Sequence, residues 1–261
     1  MLTLPGWPAG WSRSTRSNAT MVVASAALVL FLWLMAIPLS WAPEPIGPAA
    51  RDFADGTLIT VELTIVSGLA GIAIGLVAAM GKLSRVAPVR WLASFYIWVV
   101  RGTPLLVQVL FVYFALPALI PSLRLSDFTS ACIALALNIG AYNAEAIRSG
   151  MQAVPKGQTE AARSLGMSAW HTFLDIVFPQ AMKISLPSLV NNIVSLLKDS
   201  SLAYTIGVVE LTNVGNRIQA ATFQPMSTLV TTACIYLVLT TMLTQISDAI
   251  EHRYDVEGRR P

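Results

Sequence analysis

The chain has 261 residues, of which 55% are hydrophobic and only 12% charged, against roughly a quarter charged in an average soluble domain. A net charge of +3 gives no bulk attraction to nucleic acid, and the long uncharged runs exclude an ordinary soluble domain. Runs of about 20 apolar residues cross a hydrocarbon core of about 30 Å as helix, so the sequence predicts an all-α, polytopic transmembrane helical bundle.

The first apolar run, 21–41, follows Arg13 and Arg16. It is longer than a signal-peptide core of about 7–15 residues, and cleavage after Ala42 would leave Pro43 at the new terminus. It is expected to be a retained first span. The second span is expected over 57–80, with Glu62 as its one charge and Gly71 and Gly75 spaced for close helix packing. Gly75 to Lys82 is no phosphate loop, because five residues precede the Gly-Lys pair and Leu83 follows it. The third region, 91–120, is too long for a simple span and contains Arg101, Gly102, Thr103 and Pro104. Pro104 cannot donate to the helix ladder and Gly102 loosens it. A helix near the interface up to about Val100, carrying Trp91, Tyr96 and Trp98, is expected to break and continue as a span from Leu105. Further spans are expected over 128–147, 184–208 and 226–248, for about six in all.

Charge bias orients them. With the N-terminus inside, twelve of the seventeen Lys and Arg residues are cytoplasmic, and only Arg51, Arg124 and Arg217 fall outside. By the positive-inside rule both termini are then cytoplasmic, and the longest inner segment is the loop at about 150–183. Cys132 and Cys234 fall in apolar runs and read as buried small hydrophobes. His171 and His252 have no partner motif. No catalytic group and no metal-ligand spacing stands out.

In the fifth span, Asn192, Ser195 and Asp199 share one helix face, and Asn191, Ser195 and Lys198 form an overlapping set. Charge in a span is costly and usually faces a protein interior or a water-filled cavity. Lys198 and Asp199 point about 100° apart, so each needs its own partner or the cavity. Two uses remain open. They line a substrate pathway, where a zwitterion would meet one cation and one anion, or they pair across an interface. Glu145, Asn143 and Asn138 give a similar, weaker set in the fourth span.

The inner loop reads Glu160-Ala161-Ala162, three residues, Gly166, nine residues, then Ile176, Val177, Phe178 and Pro179. This resembles the EAA loop of ABC importer permeases, with Phe178 where leucine is usual. Ala161 and Ala162 favour helix, Glu160 is acidic near an expected helix start, and Gly166 suits a turn of positive φ. Arg101-Gly102-Thr103-Pro104-Leu105-Leu106-Val107-Gln108 is similar to the RGTPLLVQ segment of polar amino acid permeases, the histidine, glutamine, arginine and cystine group. Ser195 to Leu202 resembles their SLLKDTSL stretch, and Ala141 to Glu145 with Arg148 their fourth-span ending.

The resemblance implies a type I importer permease of the bacterial inner membrane, whose core is 56–250. Residues 1–55 add a cytoplasmic segment, a span and an outer loop, and 251–261 form a cytoplasmic tail. It also implies a pair of ABC ATPase subunits, which bind ATP and Mg and grip the EAA loop through Glu160, Ala161, Ala162, Gly166, Ile176 and Pro179. An extracytoplasmic amino-acid-binding protein and a second permease copy, identical or related, complete the assembly in the lipid. No cofactor is expected on this chain. The rival expectation is an ATP-independent transporter or channel, supported only by the single break at Pro104.

Overall fold

The structure is a computed structural model that describes residues 12–254 apart from Pro121 and Arg124. Arg124, Arg259 and Arg260 of the charge count lie outside the described residues, as do 1–11 and most of the expected tail.

The described chain is helical throughout. In order it forms α1 (Arg13–Leu34), α2 (Ala36–Ser40), α3 (Ala50–Leu83), α4 (Ala87–Gly102), α5 (Leu105–Leu119), α6 (Asp127–Ala153), α7 (Lys156–Ser164), α8 (Ala169–Ile206), α9 (Leu211–Thr222) and α10 (Pro225–Tyr254). Side-chain caps mark several starts. Ser12 accepts from the Thr15 N–H before α1, and Ser126 accepts from the Thr129 N–H before α6.

Four helical segments are long and apolar enough to cross a membrane, namely Thr15–Ser40, Ala50–Leu83, Ala169–Ile206 and Pro225–Glu251. A fifth span results if α4 and α5, which meet at 112°, count as one broken segment. The fourth expected span, α6, has 27 residues, about 40 Å, but falls short in apolarity. Its surroundings explain this. Fourteen of its residues are buried against other helices, so small and polar residues such as Ser130, Asn138, Gly140 and Asn143 serve it better than a lipid-facing surface would.

α6 is the central element. Across α3 its backbone approach is set by glycine. A Cβ on Gly75 would stand 2.6 Å from the Asn143 Cβ and 3.0 Å from the Gly140 carbonyl oxygen, and one on Gly71 would collide with Ile139. The Gly71–Gly75 pair therefore acts as a packing surface, as its spacing predicts. Three apolar clusters surround this seam. Leu63, Val109, Ala131 and Ile206 join α3, α5, α6 and the end of α8. Ala79, Ile97, Ile147 and Leu189 join α3, α4, α6 and α8 nearer the α7 end. Met35, Phe53, Leu211 and Leu239 tie α1, α3, α9 and α10 together. The added first span is thus docked, running antiparallel to α10, with the buried Ser17 hydroxyl donating to the Ala249 carbonyl.

Two helices widen into a π turn, Phe111–Ala115 in α5 and Thr172–Val177 in α8. Each is followed two residues later by a proline, Pro117 and Pro179. Proline has no N–H, and its ring crowds the carbonyl four residues back, so an i to i+5 turn relieves the ladder there.

Two expectations need correction. Cys132 is half-buried, but Cys234 is exposed on α10, so it is not an interior residue. Of the aromatics on α4, Trp91 and Trp98 are exposed, whereas Tyr96 turns inward and donates its hydroxyl to the Leu137 carbonyl of α6 at 2.6 Å.

Candidate functional site: a polar cleft and a protruding helical turn

The loop between α6 and α8 is a helix, a tight turn and a second helix start. α7 ends at a Schellman motif: Gly166 has φ +82°, its N–H bonds the Arg163 carbonyl, and the Met167 N–H bonds the Ala162 carbonyl. Nothing lies within 4 Å of where a Gly166 Cβ would be, so the backbone angle alone demands glycine. Ser168 then caps α8, accepting from the His171 N–H and pairing with His171 Nδ1 at 2.8 Å. Ala162 is buried where α7 packs on the Thr172–Val177 turn, while Glu160 and Ala161 are exposed. Glu160 sits in the middle of α7 and not in its first turn, because the helix begins four residues earlier than the motif suggests. Leu165 and Trp170, at 85% and 65% exposure, are bare apolar groups beside the turn. Ile176 lies in the π turn and Pro179 just beyond it. The turn therefore presents Glu160, Ala161 and two large apolar side chains outward among its exposed residues.

Above this loop a cleft of about 450 Å³ opens between α6 and α8, with Arg101, Tyr142, Glu145, Ser149, Ser188 and Asn192 among its lining residues. Arg101, at the end of α4, lies over the Tyr142 ring with its guanidinium carbon 5.3 Å from the centroid. Glu145 is held by Lys82 of α3 at 3.0 Å and by Arg148 one turn on. Asn192 donates to the Asn143 side-chain oxygen at 2.9 Å, and the fully buried Asn143 keeps its amide nitrogen unpartnered. The lining thus includes a cation, a carboxylate, an amide and hydroxyls.

Of the residues singled out in the sequence, Glu145, Asn143 and Asn192 come together here, joined by Arg101 of the helix break. Ser195, Lys198 and Asp199 do not. Asp199 is seven residues beyond Asn192, about 10 Å along the helix. Ser188, Asn191, Ser195 and Lys198 form instead an exposed polar stripe on α8 at spacings of three and four, and neither Lys198 nor Asp199 makes a salt bridge or side-chain hydrogen bond among the described residues.

Sequence reasoning missed Tyr142 and Ser188, although each sits three or four residues from a residue it did flag. It also missed Glu210. This fully buried carboxylate caps α9, accepting from the Thr212 and Asn213 N–H groups and the Tyr236 hydroxyl, each at 2.9 Å. Burial pushes its pKa up, and the two backbone N–H groups pull it back. A lone acid before Leu-Thr-Asn, three residues after Gly207, was its only signal. Among the described residues no cluster of His, Cys, Asp or Glu could hold a metal ion.

Comparison with known proteins agrees with this geometry. The chain is 37% identical over 221 residues to the L-cystine transport system permease protein TcyB of Bacillus subtilis, covering 84% of this chain and 92% of that one. It is 38% identical to the arginine transport system permease protein ArtQ of the same organism, over 79% of this chain and 94% of that one. To the glutamine transport system permease protein GlnP of Escherichia coli it is 36% identical, over 81% and 96%. Among solved structures, a chain of an amino acid ABC transporter crystallised with histidines superposes with TM-score 0.74 at 38% identity, over 79% of this chain and 95% of that one. A chain of the MetNI methionine ABC transporter shares the fold at TM-score 0.69 and 17% identity, over 82% and 99%. The model of the family described as binding-protein-dependent transport system inner membrane component matches residues 71–256, and with the bent helix, the seam at Gly71 and Gly75 and the turn at Gly166 it assigns the chain to that family of ABC transporter permeases.

Proposed function

We propose that this permease carries polar amino acids, and that they pass the cleft beside Arg101 and Glu145. The observation that carries the reading is the pairing of opposite charges in one cleft. A zwitterionic amino acid offers a carboxylate to Arg101 and an ammonium to Glu145, while Asn192, Ser149 and Ser188 suit a polar side chain. The relatives named for cystine, arginine and glutamine support the same substrate class. Membership of a binding-protein-dependent family leaves no place for the ATP-independent transporter.

The partners follow from the surfaces. An ATPase pair docks on the turn around Gly166, where Leu165 and Trp170 stand bare, and an extracytoplasmic binding protein delivers substrate at the opposite face. A second permease copy stands across the polar stripe of α8. An exposed Lys198 and its neighbours would be costly against lipid, and a water-filled path between two copies removes that cost. Both termini are cytoplasmic in this reading, as the charge bias requires. Energy enters through the ATPases, and the shift it drives requires the nucleotide to bind one state of the assembly more tightly than the other.

The test is ATP hydrolysis by the complex reconstituted in lipid with its ATPase and binding protein, across a panel of amino acids. Stimulation by one polar class is expected. Silence toward every amino acid, in a complex shown to be assembled, would refute the substrate assignment and leave the permease standing.

A further inference from the structure

The bend between α4 and α5 exposes a problem that the chain solves with one side chain. Pro104 donates no hydrogen bond and Thr103 is extended, so the last carbonyls of α4 lose their helical partners. In a membrane such groups must be satisfied within the protein. The Thr103 hydroxyl donates to the Val99 carbonyl at 2.9 Å. The Gln108 amide nitrogen donates to the Val100 carbonyl at 2.7 Å, and reaches the Thr103 carbonyl at 3.1 Å and the Thr103 hydroxyl at 2.9 Å. The Gln108 carbonyl oxygen accepts from Asn138 of α6 at 3.1 Å.

One glutamine therefore joins the helix before the break, the helix after it and the central helix. Asn138 is one turn from Tyr142, whose ring carries Arg101, and Tyr142 is one turn from Glu145. Arg101 is the residue next to Val100, and Val100 is held directly. Exposed at the end of α4, Arg101 has no salt bridge to fix it among the described residues, so its position follows from the helix end on which it rides.

We infer that Gln108 is a positioning residue, a clasp that sets the bend against Asn138 and so places Arg101 in the cleft. This rests on the assignment of that cleft to the substrate pathway. The clasp needs both functions of an amide, because the nitrogen must donate to the broken helix while the oxygen accepts from α6. A carboxylate of the same shape keeps the second function and loses the first.

The experiment measures uptake kinetics in proteoliposomes holding the whole complex. It compares wild type with Q108E, N138L, R101Q and the double variant Q108E/R101Q. Q108E loses the bonds to Val100 and Thr103, whereas N138L cuts only the tie to α6. If the clasp positions Arg101, R101Q, Q108E and N138L each raise KM by about tenfold, the scale of one or two such hydrogen bonds. Maximal uptake changes little in Q108E and N138L, and the double variant is no worse than R101Q. Should Q108E fail to assemble, N138L carries the same comparison with R101Q.

A fall in maximal uptake at unchanged KM in the clasp variants, with R101Q still raising KM, would make Gln108 a structural residue only and overturn the inference alone. Additive effects in the double variant would overturn it too. An unchanged KM in R101Q would overturn the clasp and the cleft assignment together.

Discussion

The chain interrupts its helices at two places tied to function, Pro104 and Gly166, and repairs the two breaks by opposite means. At Pro104 the freed carbonyls are met by side chains, Thr103 and Gln108, with Asn138 recruited from another helix. At Gly166 they are met by the backbone alone, the Arg163 and Ala162 carbonyls accepting from the Gly166 and Met167 N–H groups. The difference follows from what stands beside each break. The Pro104 break packs beside α6, which supplies Asn138 as a partner for Gln108. The Gly166 break closes on its own backbone and leaves its side chains unused, and Leu165, Trp170, Glu160 and Ala161 are all turned outward. The first break is built to hold a shape, and the second to be held by something else.

The largest effect that would separate them is at Gly166. A Gly166→Val variant must place a β-branched residue at φ +82°, at a cost of about 1–2 kcal/mol, although its Cβ meets nothing within 4 Å. Insertion should therefore persist and melting of the isolated permease fall by only a few degrees while uptake is lost, as measured in proteoliposomes beside the detergent-purified protein. Full uptake by that variant would remove the turn from the coupling pathway. Next in size is Trp170→Ala. The residue is 65% exposed and its ring stacks on Phe173 at 6.3 Å between centroids, so its removal costs the fold little. Truncating an aromatic anchor costs an interface about 2 kcal/mol, roughly thirtyfold in Kd. Titration of the ATPase onto the permease in nanodiscs reads this, and an unchanged Kd would place the docking surface elsewhere.

The same contrast explains what the sequence revealed. The turn at Gly166 was legible because its geometry is local. One residue must take a positive φ, and five elements at fixed spacing surround it. The break at Pro104 was half legible. Proline and glycine announced it, but the partners that close it, Gln108 and Asn138, are thirty residues apart, and no helical period links them. Of the two overlapping sets in the fifth span, Asn191, Ser195 and Lys198 share the exposed stripe, whereas in the other set Asn192 lines the cleft and Ser195 and Asp199 do not. Helical spacing tells which residues share a side, but not where along a 38-residue helix a cavity stops. The fourth span, expected over 128–147, is the helix Asp127–Ala153, and its polar positions face protein neighbours. Glu210 was illegible for the reason that makes it strong, since its partners Thr60 and Tyr236 come from two distant helices.

The smallest of these effects tests the first break most directly. Thr103 contributes a hydroxyl that donates to the Val99 carbonyl and receives the Gln108 amide, so Thr103→Val removes both bonds while keeping the shape of the side chain. The expected loss is about 1 kcal/mol, read as a lowered melting temperature of the purified permease. Thr103→Ser, which keeps the hydroxyl, should stay close to wild type. The pair isolates hydrogen bonding from packing, because Thr103 is exposed and its methyl group buries little. If valine and serine behave alike, the 112° bend is held by the apolar contacts of Val109 and Val112 with α6, and the two breaks differ less in kind than their hydrogen bonds suggest.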